Sequence, residues 1–306
     1  MQTARAILRR FAVKGVIWRH YLDWAIANVP FHLQPILLTV CTVFFFFFAA
    51  SERRSILGNL PIVLPGSSPL INHFRAFRTL LNFSWSIAEA ANYRVNKANF
   101  IYEIMGPEFL AELSTAHGAI LLTAHMGSPD LGAALFAQKL NREIRMVRAP
   151  EPDRHSEQHL HSTVERVGEG AVKIAYSTDG AMLSFDLLGA LRAGEIVSIQ
   201  GDRIIPGIAS VDGRMFGERV QIPNGPFILA QIARVPIFPL FVVRSGYRRY
   251  RIVACEPISV ARSGCDRAAN VAAAVSAWCV VLEEMIAEHW RQWFGFGPLF
   301  ARDVIR

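Results

Sequence analysis

Charge is scarce in this sequence. Asp, Glu, Lys and Arg make up 19% of its 306 residues, while 52% are hydrophobic, well under the roughly one quarter charged in ordinary soluble chains. Paired cysteine is absent: Cys41, Cys255, Cys265 and Cys279 are widely scattered. No Cys-x-x-Cys spacing marks a zinc or redox site, a chain of this size needs no disulfide, and a reducing compartment fits. There is no Gly-x-Ser-x-Gly elbow, so a serine hydrolase has no nucleophile. A glycine-rich phosphate loop, a Gly-x-Gly-x-x-Gly after a strand, zinc-finger spacing and RNP-like aromatics are missing too.

What is present leans toward a membrane surface. The formal net charge is +7 and mean hydropathy is +0.27. Basic excess with apolar excess points to an anionic membrane surface rather than to nucleic acid. Residues 1–19 interleave Arg5, Arg9, Arg10, Lys14 and Arg19 with apolar positions at helical spacing, as an interfacial segment does. The uninterrupted apolar run Pro35–Ala50 contains five consecutive phenylalanines. It is shorter than the roughly 20 residues of a comfortable span, lies too far from Met1 for a signal peptide, and reads as an anchor or as a buried core helix.

From Ser51 the pattern becomes globular. Prolines in ILGNLPIVLPGSSPL suggest a helix end and a loop, and 73–92 has helical spacing. Short apolar strands are predicted at 118–124, 144–148, 172–176, 196–200 and 237–243, with an edge strand at 250–253. Helices are predicted at 129–140, 157–167, 182–193, 226–234 and 270–293. This alternation predicts an α/β fold with a mostly parallel central sheet flanked by helices, behind an N-terminal hydrophobic membrane-anchoring helix. The division expected is an anchor over 1–52 and a catalytic domain over 53–306.

One stretch joins a strand end to chemistry: LLTAHMGSPD, Leu121–Asp130. His125 follows the strand and Asp130 opens the next helix. A turn between them can bring the carboxylate to one imidazole nitrogen, leaving the other as a general base. The same residues also suit a strand-end histidine followed by a helix-capping aspartate. A His/Asp pair without a covalent nucleophile suits direct acyl transfer to a hydroxyl. The run His155, His159, His161 is the best metal-ligand spacing, but it lacks the Glu of His-Glu-x-x-His and reads as a polar helix face.

LLTAHMGSPDLGAAL resembles the His-x4-Asp/Glu motif of glycerolipid-type acyltransferases, and more closely that of the bacterial lipid A late (lauroyl/myristoyl) acyltransferase family. The likeness runs from about Arg53 to Phe294. SERRSILGNLPIVLP, IMGPEFLAELSTAHGAILLTAH, RMVRAPEPDRHSEQHLHSTVERVGEGAVKI, LRAGEIVSIQGDR, MFGERVQIPNGPFILAQIARVPIFPLFVVR and EHWRQWF each resemble a family block, in family order. The resemblance implies an acyl carrier protein or CoA thioester as donor and a hydroxyl on a lipid or glycolipid as acceptor. It implies no cofactor, and attachment to the cytoplasmic face of the bacterial inner membrane.

By that resemblance His125 is the base and Asp130 its orienting partner. Asp202 and Arg203 fall where the family carries functional groups, Arg203 for an oxyanion or acceptor phosphate. Arg148 and Arg166 match family arginines suited to phosphate or phosphopantetheine, and Glu218 is a candidate acceptor contact. Each of these five also reads as an ordinary loop or surface charge. Ser128-Pro129-Asp130 and Gly201-Asp202-Arg203 depart from the family's usual Asn-Trp-Glu and Pro-Asp-Gln, which points to a different acceptor. A lysophospholipid or specialised-lipid acyltransferase, and a non-catalytic lipid-binding homologue, are the alternatives.

Overall fold

Four helices come first: α1 (Val16–Asn28), α2 (Gln34–Phe48), α3 (Ala50–Val63) and α4 (Pro69–Asn96). The computed structural model describes residues 16–96, 98–128, 131–132, 142–150, 172–177, 180–204, 207–261, 266–297 and 299–300. Helix α4 buries Asn72, Ala76, Thr79 and Leu80, a three-to-four residue spacing that turns one stripe inward. The other helices gather on it. Thr42 of α2 donates to Ser84 Oγ at 2.9 Å, and Asp23 of α1 pairs with Arg94.

The apolar run 35–50 is helical over the 15 residues of α2, and the chain then bends by 87° at Ala49 into α3. The run expected to anchor the chain thus forms a short helix that ends in a sharp bend. Fifteen residues rise about 22 Å, short of the roughly 30 Å hydrocarbon core. Among the described residues the single helix long and apolar enough to cross a membrane is instead at the other end of the chain, Arg267–Gln292. It is a core helix: Val275, Trp278, Leu282 and Ile286 are fully buried along one face. The stretch ILGNLPIVLPGSSPL holds the expected helix end and loop: α3 closes at Val63, with Pro61 in its last turn, where a missing N–H costs one bond only, and a loop leads to Pro69. The basic segment 1–15 lies outside the described residues.

The sheet follows. Strands β1 (Ile101–Met105), β2 (Ala119–Thr123), β3 (Ile144–Arg148), β4 (Val172–Tyr176) and β5 (Ile196–Gln200) are joined later by β8 (Ile237–Gly246) and β9 (Arg249–Ala254). Their spatial order is β1-β9-β8-β2-β5-β3-β4. β8, β2, β5, β3 and β4 run parallel, whereas β9 is antiparallel to β8 and carries β1 parallel to itself at the edge. The fold is therefore α/β with a mostly parallel sheet, as the alternating pattern predicts.

Helix α5 (Pro107–Thr115) links β1 to β2, and α6 (Gly180–Arg192) links β4 to β5. A hairpin of β6 (Ser210–Met215) and β7 (Glu218–Pro223) precedes α7 (Gly225–Ala233), and α8 (Arg267–His289) ends in a 3₁₀ turn over Trp290–Gln292. All five residues of β2 are buried, so the strand has two inner faces. Ile120 and Leu122 join the core formed with α6, α7 and α8, while Ala119 and Leu121 join the core on the other side with Leu113 and Tyr250. That alternation pins the strand's register, and with it where the strand runs out.

Candidate active site

β2 and β5 are neighbours in register, Thr123 opposite Gln200, so the segments leaving them emerge side by side at the carboxyl edge of the sheet. Open parallel sheets place functional groups at that edge. The chain beyond β2 reads Ala124-His125-Met126-Gly127-Ser128, and that beyond β5 reads Gly201-Asp202-Arg203.

Both segments are held by their neighbours. The Gly127 amide donates to Gln292 O at 2.9 Å and the Ser128 amide to Val242 O at 2.9 Å. Gly127 has φ +61°, and a Cβ there would sit 2.0 Å from Val242 O, so no other residue fits without moving β8. The Gly201 amide donates to Thr123 O at 2.8 Å, while its carbonyl accepts the Trp278 indole N–H at 3.0 Å. A Cβ at Gly201 would meet Leu122 Cδ1 at 2.7 Å. Glycine at 201, where the resembling family carries proline, thus admits a close strand-to-helix approach.

This scaffold sets Asp202 against His125. Asp202 Oδ1 is 2.7 Å from His125 Nδ1, and Oδ2 accepts the His125 amide at 3.1 Å and the Trp293 indole N–H at 3.1 Å. The carboxylate is buried, whereas the imidazole is partly open to solvent. Burial pushes the Asp202 carboxyl up, but the charge of His125 and the hydrogen bonds from His125 and Trp293 outweigh it and hold the group below the ordinary aspartate range. An ionised carboxylate on Nδ1 keeps the proton there and leaves Nε2 as the basic nitrogen. Nε2 has no hydrogen-bond partner among the described residues. The arrangement can accept a proton from a hydroxyl at Nε2 and steady the resulting imidazolium.

The remaining sequence candidates fall in different places. Arg148 is half-buried at the end of β3, on the same carboxyl edge, two strands from His125. Arg203 follows Asp202 directly and is half-buried beside Gly297. Glu218 begins β7, on a hairpin packed against α8. Asp130 and Arg166 lie outside the described residues, as do His155, His159 and His161. Among the described residues no group of His, Cys, Asp or Glu could hold a metal ion. Trp293 and Gln292 are contacts of the site that the sequence does not place among its candidate residues. Their signal was their place in the block EHWRQWF, but nothing in that block tells which carboxylate the indole meets.

Compared with protein families, residues 6–302 match the model described as bacterial lipid A biosynthesis acyltransferase. A search of curated proteins found no significant match.

Proposed function

The chain belongs to the bacterial lipid A biosynthesis acyltransferase family, and so is an acyltransferase acting on lipid; from that premise we propose that it moves a fatty acyl chain from an acyl thioester to a lipid hydroxyl, with His125 as general base. His125 Nε2 takes the proton of the acceptor hydroxyl as the oxygen attacks the thioester carbonyl. The tetrahedral oxyanion then collapses, the C–S bond breaks, and the thiolate takes the proton back from the imidazolium. The products are an ester and a free thiol.

The observation that carries this reading is the buried Asp202 carboxylate on His125 Nδ1, which makes Nε2 the basic nitrogen. In this proposal Asp202 fills the orienting role that the family resemblance gives to Asp130. The oxyanion needs a donor, and the amides of His125 to Ser128 are all engaged, by Asp202, Ala124 O, Gln292 O and Val242 O. We assign that donor to Arg203, next to Asp202. Arg148 on the same edge is assigned to the donor's phosphate, an acyl carrier protein or CoA carrying one alike. The paired His125 and Asp202 speak against a homologue that binds lipid without catalysis.

We place the protein on the cytoplasmic face of the inner membrane, with 1–52 as its anchoring portion and 53–306 as the catalytic one. Support comes from α1, the turn after it, α2 and the start of α4, where Trp24, Phe31, Ile36, Phe47, Leu70 and Phe74 are all exposed. An apolar surface of that kind suits lipid better than water.

The test compares wild type with His125→Ala, using acyl carrier protein and CoA thioesters and lipid acceptors, with products read by mass spectrometry. The variant should lose on the order of 10²- to 10⁴-fold in kcat, the usual share of a positioned base. Turnover near wild type would end the proposal. Lipid profiling of cells with and without the protein then identifies the acceptor as the species that gains one acyl chain.

A further inference from the structure

The segment after α8 crosses directly over the dyad. Residues 290–297 form a strap whose backbone is tied to the catalytic loop: Phe294 N–H donates to His125 O at 2.6 Å, and Gln292 O accepts Gly127 N–H at 2.9 Å. Met126 and Trp293 form an isolated antiparallel bridge. The far side of the strap is tied down as well. Gln292 Oε1 accepts Arg244 N–H at 2.7 Å, and its Nε2 donates to Arg244 O at 2.8 Å. Asn59 of α3 donates to Gly295 O and Gly297 O, both at 3.4 Å, while Phe294 and Phe296 rest edge-on against Phe83 of α4.

The strap delivers one side-chain donor into the site. Trp293 is 6% exposed, and its Nε1–H points at Asp202 Oδ2 at 3.1 Å. Gly295 makes room for that orientation, because a Cβ there would lie 2.6 Å from Trp293 Cζ2 and 3.1 Å from Nε1. The indole therefore lies flat against the strap's own backbone. Trp290, three residues earlier, takes a different part: it lies under the guanidinium groups of Arg75 and Arg291.

We propose that Trp293 is a positioning residue for acyl transfer: its indole N–H pins Asp202 Oδ2, so that Oδ1 alone is offered to His125 Nδ1. This rests on the reading of His125 as base. A carboxylate held by one side-chain partner can swing about its terminal torsion, which is broad and two-fold. Here Oδ2 is held from two directions, by the His125 amide and the indole, which leaves Oδ1 at 2.7 Å from Nδ1. Removing the indole donor leaves a buried carboxylate with one hydrogen bond fewer. The dyad then keeps its proton more tightly, because an under-solvated anion both binds a proton and attracts an imidazolium more strongly.

The experiment measures kcat, KM and the pH–rate profile of Trp293→Phe beside wild type, His125→Ala and Trp290→Phe. Trp293→Phe keeps an aromatic ring and loses the donor. It should lower kcat by about 10- to 100-fold, the usual weight of a hydrogen bond to a charged group, with KM little changed. The acid limb of its profile should move to higher pH, whereas that of Trp290→Phe should stay in place. A wild-type kcat and an unmoved acid limb in Trp293→Phe would overturn the role of Trp293. If Trp293→Phe does not fold, 3-benzothienylalanine incorporated at position 293 is read by the same two outcomes, since it replaces N–H by sulfur at nearly constant shape. An inactive His125→Ala beside an unaltered Trp293→Phe removes this inference alone; an active His125→Ala removes the base beneath it.

Discussion

His125 Nδ1 and Asp202 Oδ1 stand 2.7 Å apart, and the same carboxylate holds the histidine's own amide at 3.1 Å through its other oxygen. Two donors from one residue on two oxygens of another fix both the ring's tautomer and the loop that carries it. Oδ2 faces donors only, the His125 amide and the Trp293 indole.

That pattern makes Asp202→Asn an informative change. The new amide must keep its oxygen toward the two donors on the Oδ2 side, which turns its NH₂ toward His125 Nδ1. Nδ1 then has to accept, the ring proton moves to Nε2, and the base is lost. The expected outcome is a loss on the order of 10²- to 10⁴-fold in kcat with the fold retained. Steady-state rates and ¹⁵N imidazole shifts of His125 check the two halves.

Glu89 of α4 should prove a large single contributor to stability outside the site. Its carboxylate is 2% exposed and accepts from Tyr250 Oη at 2.6 Å, Arg244 Nε at 3.0 Å and the Arg248 amide at 3.1 Å. Burial, reinforced by the charge and hydrogen bond of Glu89, pushes the Tyr250 phenol far above its usual range. Glu89→Ala leaves Arg244 without its carboxylate and should cost about 3–5 kcal/mol. Glu89→Gln keeps an acceptor for Tyr250 and should cost less. Denaturant titration of the two variants measures the difference.

Stability should fall as pH drops below about 6.5, through His289. Burial at the end of α8 holds this imidazole below the ordinary 6.5, against the pull of Glu288 and with the push of Arg251. The unfolded chain therefore binds the proton at a pH where the folded chain does not, and protons favour unfolding. The loss begins near 6.5 and is complete once the folded imidazole is itself protonated. His289→Gln should flatten this part of the stability–pH curve, measured by thermal melts across pH 5–8.

Membrane attachment through the helical N-terminal portion predicts that apolar side chains carry it. Phe31 is 70% exposed and Phe47 65%. Burying a phenylalanine is worth about 1.5–3 kcal/mol, so Phe31→Glu with Phe47→Glu should weaken binding to anionic vesicles by at least about tenfold. Co-sedimentation with vesicles of phosphatidylglycerol and phosphatidylethanolamine is the measurement. Undiminished binding would place the contact elsewhere.

Much of the architecture is legible in the residues. β3, β4 and β5 coincide residue for residue with the strands predicted at 144–148, 172–176 and 196–200, whose buried Ile144, Met146, Val172, Ile196 and Val197 mark them although Arg145, Arg148 and Lys173 interrupt the apolar pattern. β1 and the β6–β7 hairpin escape such reading. Their alternating exposed and covered positions, in IYEIM and SVDGRM, carry charges on the open face. The bend at Ala49 is equally silent in an apolar run, where any helix former continues the pattern.

The sequence by itself determined that His125 would stand at a strand's end: an apolar run too short for anything but a buried strand stops there, and the chain must turn. Only the tertiary structure decided which carboxylate Nδ1 would meet. Parallel strands lie about 4.8 Å apart, and pairing β2 with β5 brings two carboxyl ends together across 77 residues of chain. The same pairing lets the strap after α8 reach both partners, with Trp293 on Asp202 and Phe294 on His125. Spacing along a chain reports neighbours a few residues away, whereas hydrogen bonds in a parallel sheet join strands whose separation the sequence does not state.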